Sequence, residues 1–257
     1  MSLNRIFAIA SNVLRETIRD QILYLSLVYS VILVAAVVLL PQLAASAENK
    51  IMLDVGVAAI EVIGLIVAVF IGTNLVNKEI EKRTIFVLVA KPVSRSEFIL
   101  GKHLGISAVL AVLVSLMSAI FTIVMAIAKV KIPVTAILVS NFFTFWQLML
   151  LGSIAILFGT FTSSLIAALL TFATYLAGNS SKDLLALGEI STSESIKNIT
   201  RSIYLLLPDL SRANLKNEAV YGILPSVADL FNNGVYILAY ALLMLSIAIL
   251  LFSNRQF

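Results

Sequence analysis

Long apolar segments with few charges between them constrain this chain more than any other feature. Residues 134–177 contain no charged side chain. A single helix of that length would measure about 66 Å at 1.5 Å per residue, roughly twice the hydrocarbon thickness of a bilayer. We therefore predict two membrane spans here, divided at Gly159–Ser164, where several residues are small or hydroxylated.

The composition extends this interpretation to the whole chain. Hydrophobic residues make up 60% of the 257 positions and charged residues 12%, which is typical of bilayer proteins and not of soluble domains. Because each span needs about 20 apolar residues, we predict an all-α integral membrane protein with six transmembrane helices in one domain. The predicted spans are about 22–40, 55–76, 104–128, 138–159, 163–178 and 235–252.

Residues 1–21, before the first span, show a different pattern. Apolar side chains recur at helical spacing from Leu3 and Ile6 to Ile18, with basic residues such as Arg15 between them. This pattern predicts an amphipathic helix that lies in the headgroup layer. The alternative is an ordinary solvated leader.

Basic residues predict the orientation of the chain. The N-terminal segment and residues 77–103 together carry nine Lys and Arg side chains, whereas Lys50, Lys129 and Lys131 lie in short loops on the other side. With an even number of spans both termini share one side, and positive charge favours the cytoplasm. We therefore expect cytoplasmic termini and a cytoplasmic 77–103 segment.

The 77–103 segment contains a helix start. Lys91-Pro92 interrupts any helix that precedes it. Ser94 and Glu97 have the spacing of a capping box, in which each side chain accepts a hydrogen bond from the other residue's backbone N–H. We predict a short cytoplasmic helix that begins at Ser94 and leads into the third span. A soluble partner that pushed on this helix would move two spans; the alternative is a charged loop without a partner.

Composition and motifs exclude several kinds of chemistry. The chain has no cysteine and a single histidine, His103, which removes disulfides, thiolate sites and His-rich metal sites. A phosphate-binding loop is absent, since Gly101-Lys102 is followed by His103 and not by Ser or Thr. We predict no catalytic residues, no metal site and no nucleic-acid partner, and we expect His103 to be solvated at a helix end.

Three residues within predicted spans are candidates for lining a transport path. Glu61 is the only charge well inside a span, and an acid there usually faces protein or water. A helix–helix ion pair, a hydrogen bond or a longer outer loop is the alternative for Glu61. Asn141 and Trp146 are weaker candidates, because interhelical hydrogen bonding and packing against lipid are the ordinary roles of such residues.

A longer pattern covers residues 79–102. Acids are followed by a charged pair and Thr, a hydrophobic stretch, Pro-Val-Ser-Arg, another acid and Gly-Lys. The positions are Glu79, Glu81, Lys82-Arg83-Thr84, Pro92-Val93-Ser94-Arg95, Glu97 and Gly101-Lys102. This segment, together with the topology of the whole chain, resembles the permeases of type-2 ABC exporters. That family often has Gly before the Thr, where this chain has Arg83.

The resemblance implies a half-transporter in a bacterial plasma (inner) membrane. Two permeases, as a homodimer, would bind two cytoplasmic ABC ATPase subunits that hold ATP and Mg, so this chain would need no cofactor of its own. Residues 179–234 would form an extracytoplasmic gate of short helices. The ATPase-coupling residues would be Glu79, Glu81, Arg83, Thr84, Pro92, Ser94, Arg95, Glu97 and Lys102.

Two other classes of function remain as alternatives. A secondary transporter or channel that runs without ATP would need ion-coupling acids, broken helices and often inverted repeats, and the sequence offers only Glu61. A membrane-embedded enzyme would need clustered acids, or Ser with His, inside the spans. Lipids, hydrophobic natural products and protein-linked cargo fit the apolar spans equally well.

Overall fold

The computed structural model of the chain describes residues 2–18, 22–43, 48–81 and 94–254. Within these ranges all regular elements are helical. The helices are α1 (Leu3–Thr17), α2 (Leu23–Leu43), α3 (Glu48–Glu81), α4 (Arg95–Ile127), α5 (Val134–Phe161), α6 (Ser164–Asn179), α7 (Ser181–Ile190), α8 (Glu194–Leu206), a 3₁₀ turn (Leu210–Arg212), α9 (Lys216–Tyr221) and α10 (Val227–Asn254).

Five of the described helices, α2, α3, α4, α5 and α10, are long and apolar enough to cross a bilayer. The predicted all-α membrane fold is confirmed. Helix α6 is apolar but has 16 residues, so it measures about 24 Å against a hydrocarbon core of about 30 Å. Its first turn is stabilised inside the protein, because Ser164 Oγ donates to Asn74 Oδ1 at 2.5 Å. A sixth span at α6 stays a prediction.

The helices differ in extent from the predicted spans. Helix α3 runs from Glu48 to Glu81, well beyond the predicted 55–76. Helix α4 begins at Arg95 and continues without a break to Ile127, a length of about 50 Å. The expected short helix after Ser94 and the third span are therefore one continuous helix.

The core lies where α3, α4 and α5 meet. Ile60, Ile106 and Leu148 have no exposed surface there. Helix α10 packs on α5, α1 packs on α4, and the short helix α9 lies against α3 and α5. Helices α2, α6 and α10 each expose a row of large apolar side chains on the outside of the bundle. This arrangement is that of a membrane protein with its outer helices available to lipid.

Two ends of the bundle can be distinguished. At one end, which we call the coupling end, the start of α1, the start of α4 and the end of α10 meet. At the other, which we call the far end, α9 contacts the start of α3, as shown by Lys50 Nζ lying 4.6 Å from the centre of the Tyr221 ring. The start of α1 and the end of α10 therefore both lie at the coupling end.

Candidate coupling site

The capping box predicted at the start of α4 is present. Ser94 Oγ accepts a hydrogen bond from the Glu97 backbone N–H at 3.2 Å, and Glu97 Oε2 accepts one from the Ser94 N–H at 2.9 Å. Ser94 has extended backbone geometry, as a residue at this position requires. The helix therefore begins where the Ser-x-x-Glu spacing indicates.

Glu97 also reaches across to α1. Its Oε1 atom accepts a hydrogen bond from the Ser2 backbone N–H at 2.5 Å, and its Oε2 atom lies 3.8 Å from an Arg5 guanidinium nitrogen. Glu97 is 2% exposed, whereas the Arg5 side chain is 44% exposed, so solvent screens the ion pair and the backbone hydrogen bonds hold the carboxylate. Glu97 thus faces the protein and ties the starts of α1 and α4 together.

Arg95 ties the same point to α10. One guanidinium nitrogen donates to the Phe252 and Ser253 carbonyl oxygens, each at 2.7 Å. A cation suits these groups, since the last carbonyls of a helix lack helical partners and carry partial negative charge. Beside this contact the Phe98 ring stacks on Phe252 with centroids 5.6 Å apart, and Lys102 Nζ lies 5.3 Å from the Phe98 ring centre.

Helix α1 approaches α4 closely because two glycines face it. A Cβ atom on Gly105 would lie 2.6 Å from Val13 Cβ, and one on Gly101 would lie 2.8 Å from Ile9 Cβ. Spacing of small residues by four places them on one helix face, where they allow close contact between helices. Gly101 and Gly105 therefore form the seat of α1.

The remaining predicted coupling residues are placed as follows. The helical backbone of α3 includes Glu79 and Glu81 in its last turn. Arg83, Thr84 and Pro92 lie outside the described residues. The structure thus brings Ser94, Arg95, Glu97 and Lys102 together at the start of α4, and the ATPase contact predicted for them stays a prediction.

Glu61 is fully engaged by other helices. Its Oε1 atom accepts hydrogen bonds from Tyr175 OH at 2.8 Å and Gln147 Nε2 at 3.2 Å, and its Oε2 atom pairs with Lys216 Nζ. Glu61 is 2% exposed. The helix–helix ion pair that the sequence left open for Glu61 is the observed arrangement, and it fastens α9 to the bundle.

A third buried carboxylate, Asp209, was not predicted from the sequence. Its Oδ1 atom accepts from Ser181 Oγ at 3.1 Å and from Ser211 Oγ at 2.6 Å, and its Oδ2 atom accepts from Arg212 Nε at 3.1 Å. Its backbone N–H donates to Tyr236 OH at 2.9 Å. The only local signal was Ser and Arg two and three residues after the acid.

Asn141 lines a half-open groove of about 510 Å³ between α4 and α5. Its Nδ2 atom donates to Ser118 Oγ at 2.8 Å, and Ser118 donates to the Val114 carbonyl oxygen at 2.6 Å. Trp146 is half-buried next to the groove, with its ring 5.6 Å from that of Phe142. The interhelical hydrogen bond left open for Asn141 is observed, and the groove is predominantly apolar.

The expectation that His103 is solvated is wrong. His103 is 6% exposed, and its Nε2 atom lies 3.3 Å from the Met149 carbonyl oxygen on α5. The cause is the length of α4, since the helix starts two turns before His103 and α5 covers this part of it.

A comparison with protein families agrees with this architecture. The chain matches the model of the family described as "ABC-2 family transporter protein" over residues 7–257. No curated protein matches the chain at a significant level. The match covers nearly the whole chain and confirms the resemblance drawn from residues 79–102. The chain therefore belongs to the ABC-2 transporter family, as a multi-pass membrane permease that associates with an ATPase subunit in an ABC transporter.

Proposed function

We propose that this chain is the transmembrane subunit of an ATP-driven exporter, with coupling to the ATPase at the start of α4. The observation that carries the proposal is the junction at Arg95 and Glu97, where α1, α4 and α10 are joined by charged hydrogen bonds. A force applied beside Ser94, which is exposed, acts on three helices at once. ATP-driven closure of two ATPase subunits is a source of such a force.

In this proposal the parts of the segment have different roles. The contacts with the ATPase are made by Ser94, by Glu79 and Glu81 of the last turn of α3, and by Arg83, Thr84 and Pro92 of the segment outside the described residues. Glu97 and Arg95 act as positioning residues, because their contacts in the structure are within the chain. Helix α4 then transmits the motion as a rod about 50 Å long.

The orientation and the assembly are part of the same proposal. The coupling end faces the cytoplasm of a bacterial inner membrane, with both termini there, and cargo leaves at the far end. The functional unit is a homodimer of permeases with two ATPase subunits, which bind ATP and Mg. Residues 179–234 form the extracytoplasmic gate. Support comes from the placement of the basic residues and from the terminal helices meeting at one end.

The alternative of an ATP-independent secondary transporter has less support. Such a protein needs an acid inside the membrane that can release its partner and take up an ion or proton. Among the described residues, the buried carboxylates are Glu61, Glu97 and Asp209. Each of them accepts hydrogen bonds from other residues of the chain, so none is open to a transported ion. The geometry therefore favours coupling through a partner protein.

The test begins with isolation of the chain from native membranes in mild detergent. We expect a stoichiometric ATPase with a phosphate-binding loop to copurify. Replacing Glu97 with Lys removes the acceptor for the Ser94 and Ser2 backbone N–H groups and puts a like charge beside Arg5, while the hydrogen bond to Ser94 Oγ is retained. It should lower the ATPase turnover of the complex by at least about tenfold, which corresponds to about 1.4 kcal/mol.

Two variants make this experiment decisive. Glu97→Gln keeps an acceptor oxygen for one of the two backbone N–H groups and adds no positive charge beside Arg5, so its activity should lie between that of Glu97→Lys and that of the unchanged chain. Asp54→Lys reverses a charge on an exposed residue near the start of α3, at the far end and outside the proposed gate, and should have no effect. Absence of any copurifying ATPase, or equal turnover in Glu97→Lys and the unchanged chain, would contradict the proposal.

A further inference from the structure

Helix α8 is amphipathic, and none of its residues is buried. Most of its apolar side chains form one stripe at helical spacing, and the largest of them are well exposed, whereas Leu205, which is 72% exposed, lies outside the stripe. The stripe consists of Ile196, Ile199, Ile203 and Leu206, which are 49%, 58%, 37% and 78% exposed. A soluble environment would leave this face in water, so something other than the described chain must cover it.

Helix α7 covers only one edge of the stripe. The two helices form a hairpin, and Gly188 of α7 lies so close to Thr200 of α8 that a Cβ atom on the glycine would overlap the Thr200 hydroxyl. Helix α7 itself exposes Leu187 and Ile190 at 65% and 80%. The hairpin as a whole therefore presents apolar surface outward.

Helix α1 offers a contrast inside the same chain. It is also amphipathic, but Ile6, Ala10 and Val13 of its apolar stripe are buried against α4. The apolar stripe of α1 is buried against the protein, whereas the apolar stripe of α8 is exposed. The two helices have the same pattern in sequence and different neighbours in the fold.

The hairpin is continuous with surface that faces lipid. Ser180 and Ser181 join α7 directly to the apolar helix α6. At the other end of the hairpin, the Leu206 carbonyl oxygen accepts a hydrogen bond from Tyr240 OH of α10 at 2.7 Å. Helix α10 is a candidate span, and Leu238 and Leu242 on it are exposed.

Aromatic residues mark this level of the molecule as a membrane boundary. Tyr236 lies one turn from Tyr240, and the Arg212 guanidinium carbon is 4.5 Å from the Tyr236 ring centre. Tyr and Trp are enriched at the membrane–water interface, where the ring is apolar and the hydroxyl reaches polar groups. The Tyr240 hydroxyl links Leu206 to this pair of aromatic rings.

We propose that the α7–α8 hairpin lies in the headgroup layer at the far end, with its Ile196–Leu206 stripe inserted in the acyl region. Interfacial helices bury their apolar face about 5–10 Å below the headgroups. The opposite side of α8, with Asn198 and Arg201, faces headgroups and water. The hairpin is therefore a lipid-binding surface, and the far end is anchored to one leaflet through it.

Fluorescence quenching tests the depth of α8. Trp146, the only tryptophan, is changed to Phe, and a single Trp is introduced at Ile199 on the stripe or at Asn198 on the polar side. Each full-length chain is reconstituted in phosphatidylcholine vesicles whose acyl chains carry bromine near the glycerol or near the chain end. We expect Ile199→Trp to emit at shorter wavelength and to be quenched most by the shallow bromines. Asn198→Trp should instead be quenched by aqueous iodide.

Other outcomes would overturn the proposal. Quenching of Ile199→Trp by iodide and not by brominated lipid would place the stripe in water. Protection from both quenchers would show that protein covers it, with a second copy of the chain as the first candidate. If the tryptophan variants fail to fold, Ile199→Cys and Asn198→Cys carry an environment-sensitive label in the same comparison, since the chain has no cysteine of its own. The readout does not depend on an ATPase.

Discussion

The coupling end and the far end hold their buried charges in different ways. At the coupling end, Arg95 donates to two backbone carbonyls at the end of α10, and Glu97 accepts from the backbone N–H groups of Ser2 and Ser94. At the far end, Glu61 pairs with the Lys216 side chain. At the coupling end, the short contacts of the charged side chains are thus with backbone groups, and Arg5 is a more distant, exposed partner of Glu97, whereas the far end holds a buried ion pair.

This difference has energetic consequences. The unpaired backbone groups at a helix end are present whatever side chains surround them, so a charged residue there adds only a modest stabilising free energy. When that residue is lost, water can hydrogen-bond to the backbone groups in its place. A buried ion pair depends on one partner, and removing that partner leaves a charge without compensation. We therefore expect the far end to be the more sensitive to single substitutions, and three predictions test this comparison.

The largest effect is expected for Lys216→Met. Loss of the lysine leaves Glu61 2% exposed with only the hydrogen bonds from Tyr175 and Gln147, at a cost of about 3–5 kcal/mol in the free energy of unfolding. Reversible unfolding in mixed detergent micelles measures this quantity. Adding Glu61→Gln should recover most of the loss, because the amide retains an oxygen for Tyr175 and carries no charge.

Lys182→Met is the matched control for this prediction. Lys182 Nζ lies 3.9 Å from Asp209 Oδ2, but the lysine side chain is 56% exposed, and Asp209 keeps its contacts with Ser181, Ser211 and Arg212. The substitution should cost less than about 1 kcal/mol. If Lys216→Met costs no more than Lys182→Met, the expectation that loss of the partner of a buried carboxylate is costly at the far end is wrong.

A smaller effect is expected for Gly105→Leu at the coupling end. The new side chain would overlap Val13, so α1 must move away from α4, and overpacking of this kind costs about 1–3 kcal/mol. Because the chain has no cysteine, a single Cys at the buried Ile6 reports the displacement. We expect its labelling by a water-soluble maleimide to be faster in the Gly105→Leu background.

Gly234→Ala serves as the control for the glycine prediction. A Cβ atom there would lie 3.7 Å from the Trp146 ring, which is ordinary contact, so the Ile6 cysteine should react as it does in the unchanged background. Equal labelling in Gly105→Leu and Gly234→Ala would show that the glycine is not what seats α1.

The two ends also differ in how far the sequence predicts them. The capping box at Ser94 was predictable because its partners are three residues apart, and α1 because its periodicity is local. The contacts of Lys216 and Asp209 were not predictable, because their partners lie on helices distant in sequence and no periodic pattern identifies them. Local physics predicts the helices and the helix start at Ser94, whereas the full extent of α3 and the pairing between distant charges depend on packing that one sequence does not specify.

The smallest effect is expected for Arg95→Gln. The substitution removes charged hydrogen bonds to the Phe252 and Ser253 carbonyls, but Phe98 still stacks on Phe252, so the global loss should be about 1 kcal/mol. The local effect should be larger than the global one. Hydrogen exchange of the amides in the last turns of α10 should accelerate, while exchange in its first turns stays unchanged. Arg95→Lys keeps the positive charge near the helix end, so its exchange rates in the last turns of α10 should lie between those of Arg95→Gln and those of the unchanged chain. Faster exchange along the whole of α10 would mean that Arg95 holds the helix in the bundle, and the coupling end would then depend on one side chain as strongly as the far end does.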